Sequence, residues 1–431
     1  MRKNHMIAAI AAGLLVMMGA ASDAAAQSVA AFYKGKTVTL FIGYPSGGGY
    51  DAFGRTLARH MGGHIPGSPR MTPRNRPGAG TIKLANEVFN SMAQDGTVLA
   101  MIDRGIAMEK LFGNKQVRFE PNEFHWLGSV NNEVSTCVTW HTKKVKDLKE
   151  FLSRKLVMGG TGPGTGPDMM VKVLNNVIGA NLSLVTGYPG GNNINLAIER
   201  GEVDGRCGWS WSSIVATRPD WLKQNKIKVL IQMSTSKHPE LTKMGVPWIM
   251  DMGKTERDKQ ILTLLFAREA MGRPIVIGPK VPTARVDALR AAFSATTKDA
   301  KFLADLGKQR LESAPLTGQE VQSLVARIMA TKPDVVEASR EATQKIGKMY
   351  IKKAKVQMVK HTGPVTQVRK GGRQVLITYK GKEVKASISG SRTTVTIDGK
   401  KAKRKAIKVG MTCTFTYPGS GSRAKNVDCK S

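Results

Sequence analysis

One local design recurs along the first half of the chain. An apolar run of β character breaks into a Gly/Pro loop, and helical periodicity starts at once. It occurs at Leu40-Phe41-Ile42, followed by Gly43-Tyr44-Pro45-Ser46-Gly47-Gly48-Gly49-Tyr50-Asp51. Phe53, Leu57, Ala58 and Met61 then share one helical face. The design returns at Leu156-Val157-Met158-Gly159-Gly160 with the loop Thr161–Asp168, and again at Leu184-Val185-Thr186 with Gly187–Asn193. Further buried-strand runs lie at Val98–Ile102 and Val229–Met233. Strand, tight loop and helix in alternation dictate parallel βαβ units. Ligands of such sheets gather beyond the C-terminal ends of the strands, where these loops fall. The first-turn N–H groups of each helix lack internal partners and the helix dipole favours negative charge there, so each loop is a candidate anion site. Glycine lets a bound group come close to the backbone.

Charge divides the chain. The net formal charge is +34 over 431 residues. Residues 351–431 carry 20 Lys and Arg against Glu383, Asp398 and Asp428, which is +17. The same stretch reads as short β runs separated by Gly371-Gly372, Lys380-Gly381, Ser389-Gly390 and Asp398-Gly399. A separate, basic, barrel-like β-domain over 356–431 is expected. At the other end, Arg2 and Lys3 precede an apolar run from Met6 to Ala21, and Ala24-Ala25-Ala26 offers a small-residue cleavage site. This is an export signal, cleaved near Ala26. Four cysteines suit an oxidising compartment and predict two disulfides among Cys137, Cys207, Cys413 and Cys429, with Cys413–Cys429 a staple for the small domain. Sequence alone leaves the pairing open.

Several chemistries are excluded. Gly35-Lys36-Thr37 imitates a P-loop, but the required upstream glycine is Ala30 and the motif precedes its strand. No GxSxG, HExxH or CxxC spacing occurs. No enzyme, metal or cofactor is expected. Nucleic acid is an improbable target of the basic domain, because the chain is exported and few aromatics (Tyr379, Phe415, Tyr417) interleave its charges. An anionic lipid or envelope polymer fits the charge better, and so does a plain solvated surface.

The glycine loops together resemble those of the receptor proteins of tripartite tricarboxylate transporters, the Bug-type solute receptors. The matching pieces, in order, are Gly43–Asp51, Asn75-Arg76-Pro77-Gly78-Ala79-Gly80, Gly159–Gly164, Tyr188-Pro189-Gly190-Gly191 and Gly201-Glu202-Val203-Asp204. The resemblance covers about residues 32–350. It implies an α/β, two-lobed periplasmic binding protein of the type II, Venus-flytrap kind that hands a small carboxylate to permease subunits of such a transporter. The expected division is a signal at 1–26, a first lobe from 27–134 and 250–350, and a second lobe from 135–249. The chain would cross between lobes twice, with hinges near Asn131–Thr136 and Pro247–Met250. Two departures stand out. Trp209-Ser210-Trp211-Ser212 replaces the polar residues usual after the Gly-Glu-Val-Asp strand, and the basic β-domain is not part of the family pattern.

The resemblance implies that the carboxylate is held by the first loop and its counterpart in the other lobe, chiefly by backbone N–H groups. Candidate contacts are Tyr44, Ser46, Gly47, Gly48, Gly49 and Asp51 in the first loop, and Thr161, Gly162 and Thr165 in the second. Asp103 and Arg104 end a strand at the expected cleft edge, and Trp209 and Ser210 complete the set. Asp51 and Asp168 read first as helix caps. Trp209 and Trp211 alternate, so one should face the cleft and one the core; which is which stays open. A polyanion- or envelope-binding role for the β-domain, with the two lobes as ligand sensor, is the alternative function.

Overall fold

The structure is a computed structural model and describes residues 29–431 apart from Pro163, Lys348, Val356 and Lys370. The export signal and its cleavage near Ala26 lie outside the described residues. Two six-stranded sheets form the lobes. The first runs Leu316–Thr317, His125–Ser129, Pro274–Ile277, Val98–Met101, Thr37–Ile42, Arg70–Asn75. Its last three strands are mutually parallel, as the strand–loop–helix pattern requires. Pro73 falls within Arg70–Asn75, which is tolerated because that strand is the sheet edge. The second sheet runs Ile351–Lys353, Leu182–Thr186, Leu156–Gly159, Gly205–Ser210, Ser135–Trp140, Ile227–Met233. Both faces of each sheet are covered by apolar clusters.

The return path differs from expectation. Trp248 pairs with Gln232 beside the second sheet. Ile249, Ile261, Leu262, Leu265 and Phe266 pack in the second lobe's core, and Met271 and Ile275 in the first. The second crossing is therefore at 267–273, not at Pro247–Met250. A third crossing runs along the helix Pro333–Gln344, which places Val335 in the first lobe and Ala342 in the second. That helix ends at Gln344, and Ile351–Lys353 pairs in parallel with Leu184–Thr186. Residues 250–350 are thus shared between lobes, because an amphipathic helix lying across both can bury residues in each.

Ile351–Lys353 leads into the basic domain, a seven-stranded sheet with no α-helix among its described residues. Its long strand Val359–Arg369 bends, pairing with Thr412–Tyr417 in its first half and with Gln374–Tyr379 in its second. Ser387 pairs with Arg423, which curls the sheet toward a barrel. Cys413 and Cys429 face each other on paired strands and are bonded. Cys137 and Cys207 are likewise bonded, from neighbouring strands of the second sheet.

Candidate functional site

The two glycine loops are built alike. In the first lobe the helix Gly49–His60 carries Asp51 in its first turn, and the Asp51 carboxylate accepts from Gly47 N–H at 2.9 Å. Asn75 and Arg55 donate to its other oxygen at 2.8 and 2.7 Å. In the second lobe the helix Gly166–Ile178 carries Asp168, which accepts from Gly162 N–H at 2.9 Å and from the Thr186 hydroxyl. Burial raises the pKa of Asp168, opposed by these hydrogen bonds. Each aspartate folds its loop back on its own helix, so its charge faces inward.

Between the lobes lies a cavity of about 1080 Å³. Of the expected contacts, Tyr44, Ser46, Gly48, Gly49, Asp103, Arg104, Thr161, Thr165, Trp209 and Ser210 line it. Gly47, Asp51 and Gly162 do not; they make the loop-tying bonds just described. The Thr161 hydroxyl donates to Thr165 Oγ1 at 2.8 Å, and Thr165 in turn donates to Gly162 O at 2.7 Å. The first loop also approaches the third: a Cβ on Gly190 would lie 3.0 Å from Pro45, and one on Gly47 would lie 2.9 Å from Asn192. Trp209 lies on the cavity wall, whereas Trp211 is off it and donates its indole N–H to Glu240 at 2.9 Å.

At the floor the lobes are joined by buried ion pairs. Arg104 bonds Glu269 at 3.0 Å and also Ser210 and Ser135 of the second sheet, at 3.0 and 2.7 Å. Arg268 pairs with Asp103 at 2.5 Å, and Tyr44 donates to the other Asp103 oxygen at 2.6 Å. Arg273 pairs with Glu133 at 3.1 Å. Burial pushes the Asp103 carboxyl up, but Arg268 and Arg104 outweigh it and hold its pKa below the usual range. Glu133 is held down in the same way by Arg273 and Arg104, whereas burial wins at Glu269 and raises it. Asp103 and Arg104 are therefore satisfied within the protein. They set the geometry of the two crossings at 130–134 and 267–273.

Arg206 is different, and nothing in the sequence singled it out. It sits on Gly205–Ser210 and lines the cavity at 6% exposure. Its guanidinium donates to Gly191 O and Asn195 Oδ1, both at 3.1 Å, and stacks on Trp209 with 4.5 Å to the ring. No carboxylate among the described residues pairs with it, and its buried Nε has no partner. Burial, reinforced by Arg218, pulls its pKa down to about 9. It stays charged at neutral pH, so the cleft wall holds a desolvated cation without an anion. The local signal would have been Arg206 alternating along an otherwise apolar strand. The nearby Asp204 is not its partner: it accepts from Val157 N–H and pairs with Lys143, at 2.8 and 2.7 Å.

No protein-family model and no curated protein sequence matches the chain. Solved structures do match in shape. R. palustris Rpa4515 with adipate superposes with a TM-score of 0.57 at 17% identity, over 70% of this chain and 97% of that one. MatC from Rhodopseudomonas palustris with bound malate gives 0.54 at 19% identity, over 70% and 99%. The periplasmic binding protein BugD gives 0.57 at 18% identity, over 72% and 98%. These proteins are matched almost end to end, yet more than a quarter of this chain has no counterpart in them. The chain has the two-lobed fold of the Bug-type periplasmic binding proteins.

Proposed function

We propose that the protein is a periplasmic receptor that binds a small carboxylate between its lobes and presents it to the permease subunits of a tripartite tricarboxylate-type transporter. The observation that carries this reading is Arg206: a buried guanidinium on the cleft wall, stacked on Trp209 and lacking an anion. A carboxylate there gains charge-assisted hydrogen bonds in a site screened from water. Ser46 and the first-turn N–H groups at Gly49 and Tyr50 supply neutral donors on the first loop. The adipate and malate of the fold neighbours suit the same chemistry. The described cavity lining carries neither His nor Cys, so histidine-based acid–base or thiol chemistry has no group there. No helix among the described residues is long and apolar enough to cross a membrane. The alternative, a β-domain acting on envelope polyanions, rests on charge alone.

The test is a thermal-shift and calorimetric screen of the full chain against mono-, di- and tricarboxylates, amino acids and neutral amides. A true ligand at about 100 times its Kd should stabilise by about 2.7 kcal/mol. Stabilisation by neutral solutes and by no carboxylate would overturn the assignment.

A further inference from the structure

The basic domain does not hang free. It is joined to the second lobe through Ile351–Lys353 on the sheet edge, and Ala354 N–H donates to Thr186 O at 2.7 Å. The segment 417–422 then lies on the helix Gly191–Glu199 and the residue after it. Arg200 donates to Pro418 O, and Asn193 Nδ2 reaches Ser422 Oγ at 3.4 Å. A Cβ on Gly419 would come 2.9 Å from Leu196. That helix begins in the loop whose Gly191 carbonyl accepts from Arg206. The domain therefore stands beside the ligand loops, and its own side chains continue the cavity wall.

Its contribution to that wall is cationic. Arg373, Arg392, Arg404, Arg423 and Lys425 all line the cavity that Arg206 lines. No ion pair joins any of the five to a described carboxylate, and the buried Nε of Arg404 has no hydrogen-bond partner. The only carboxylate on the whole described lining is Asp103, already paired with Arg268. At about 1080 Å³ the cavity lies at the upper end of the usual range for small-molecule sites. Like charges held around one cavity repel each other and concentrate anions.

We infer that the C-terminal β-domain is a wall of the binding site, and that the ligand carries at least two separated anionic groups, one at Arg206 and another at the arginines of this domain. This rests on the carboxylate reading above and narrows it to elongated di- or polyanions. The domain sets selectivity by charge, because a monoanion can satisfy only one end. It is tied to the second lobe, so closure of the first lobe, which carries Arg74 on the same lining, would enclose the distal group as well.

The experiment is calorimetry on the full chain with two homologous probe series: straight-chain monocarboxylates, and α,ω-dicarboxylates from succinate to sebacate. These are run on wild type, on Arg206→Met, and on a variant with Arg373, Arg392, Arg404 and Arg423 changed to Gln. The inference expects dicarboxylates above a threshold length to bind wild type at least tenfold tighter than equal-length monocarboxylates, with a steeper loss in salt. The fourfold variant should lose that advantage and keep monocarboxylate affinity, while Arg206→Met should lose both series. Arg392→Glu, a single change at an exposed position, serves if the fourfold variant fails to fold, and should weaken long dicarboxylates alone. Equal binding of both series, or an unaffected domain variant, overturns the inference and leaves the carboxylate reading standing. Failure of every carboxylate on wild type overturns both.

Discussion

Replacing Arg206 by methionine should separate binding from stability. In most folds, deleting a buried arginine is costly because its partner carboxylate is stranded, by about 3–5 kcal/mol. Arg206 has no such partner. Its pKa, drawn by burial to about 9, corresponds to about 5 kcal/mol held against the charged form. Methionine removes that term and keeps much of the apolar contact with Trp209. It also strands Gly191 O and Asn195 Oδ1, at roughly 1–3 kcal/mol each. The opposing terms nearly cancel, so the ligand-free variant should melt within a few degrees of wild type. It should also lose the carboxylate-dependent rise in Tm altogether. Differential scanning calorimetry with and without adipate reads both. A fall in Tm equivalent to more than about 3 kcal/mol would mean that Arg206 is a structural residue with a partner, and the argument for an anion site would collapse. Retained ligand stabilisation would refute it from the other side.

Gly190→Val places a branched side chain where even a Cβ lies 3.0 Å from Pro45; it should wedge the lobes apart, weakening ligand binding at least tenfold with little change in unfolding, and enlarging the molecule in small-angle scattering. Arg273→Met strands Glu133, which is 3% exposed, and should cost about 3–5 kcal/mol in urea unfolding. The pH dependence should be non-monotonic. Asp103 and Glu133 have lowered pKa values, so their contribution is present above about pH 4 and is lost as pH falls through their folded values. Glu269 and Asp168 have raised values, so theirs is present below about pH 4 and lost as pH rises through the folded values. Urea unfolding should therefore show greatest stability in mild acid, and a steady rise from pH 3 to 7.5 would contradict this. Changing Cys413 and Cys429 to Ser opens a loop of sequence separation 16 and should cost the β-domain about 3 kcal/mol, seen as an earlier melting step in near-ultraviolet circular dichroism.

What could be read from the sequence was whatever is encoded within one strand–loop–helix unit. Gly47 and Asp51, or Gly162 and Asp168, lie 4 and 6 residues apart; the two aspartates expected as caps stand instead at the third helical position and tie back the loop, while Gly48 and Thr165 occupy the N-caps. The ionic floor was hidden because its partners meet only through topology. Arg104 and Glu269 are 165 residues apart, as are Arg268 and Asp103. Arg268 and Glu269 carry no local signal, and Asp103 and Arg104 read as ligand contacts at the cleft edge, whereas they are paired within the protein. Arg206 was hidden for the opposite reason: Asp204 stands two positions away, but it lies just before the strand and its carboxylate is taken by Val157 N–H and Lys143. The β-domain shows both limits at once. Its charge is plain in the composition, yet its position depends on Ile351–Lys353, three residues before the expected domain that pair with Leu184–Thr186. That pairing turns a basic tail into part of the cleft. A surface module and a ligand-selecting wall have the same composition, and what distinguishes them is long-range: the pairing of one short edge strand and the seating of 417–422 on the helix Gly191–Glu199.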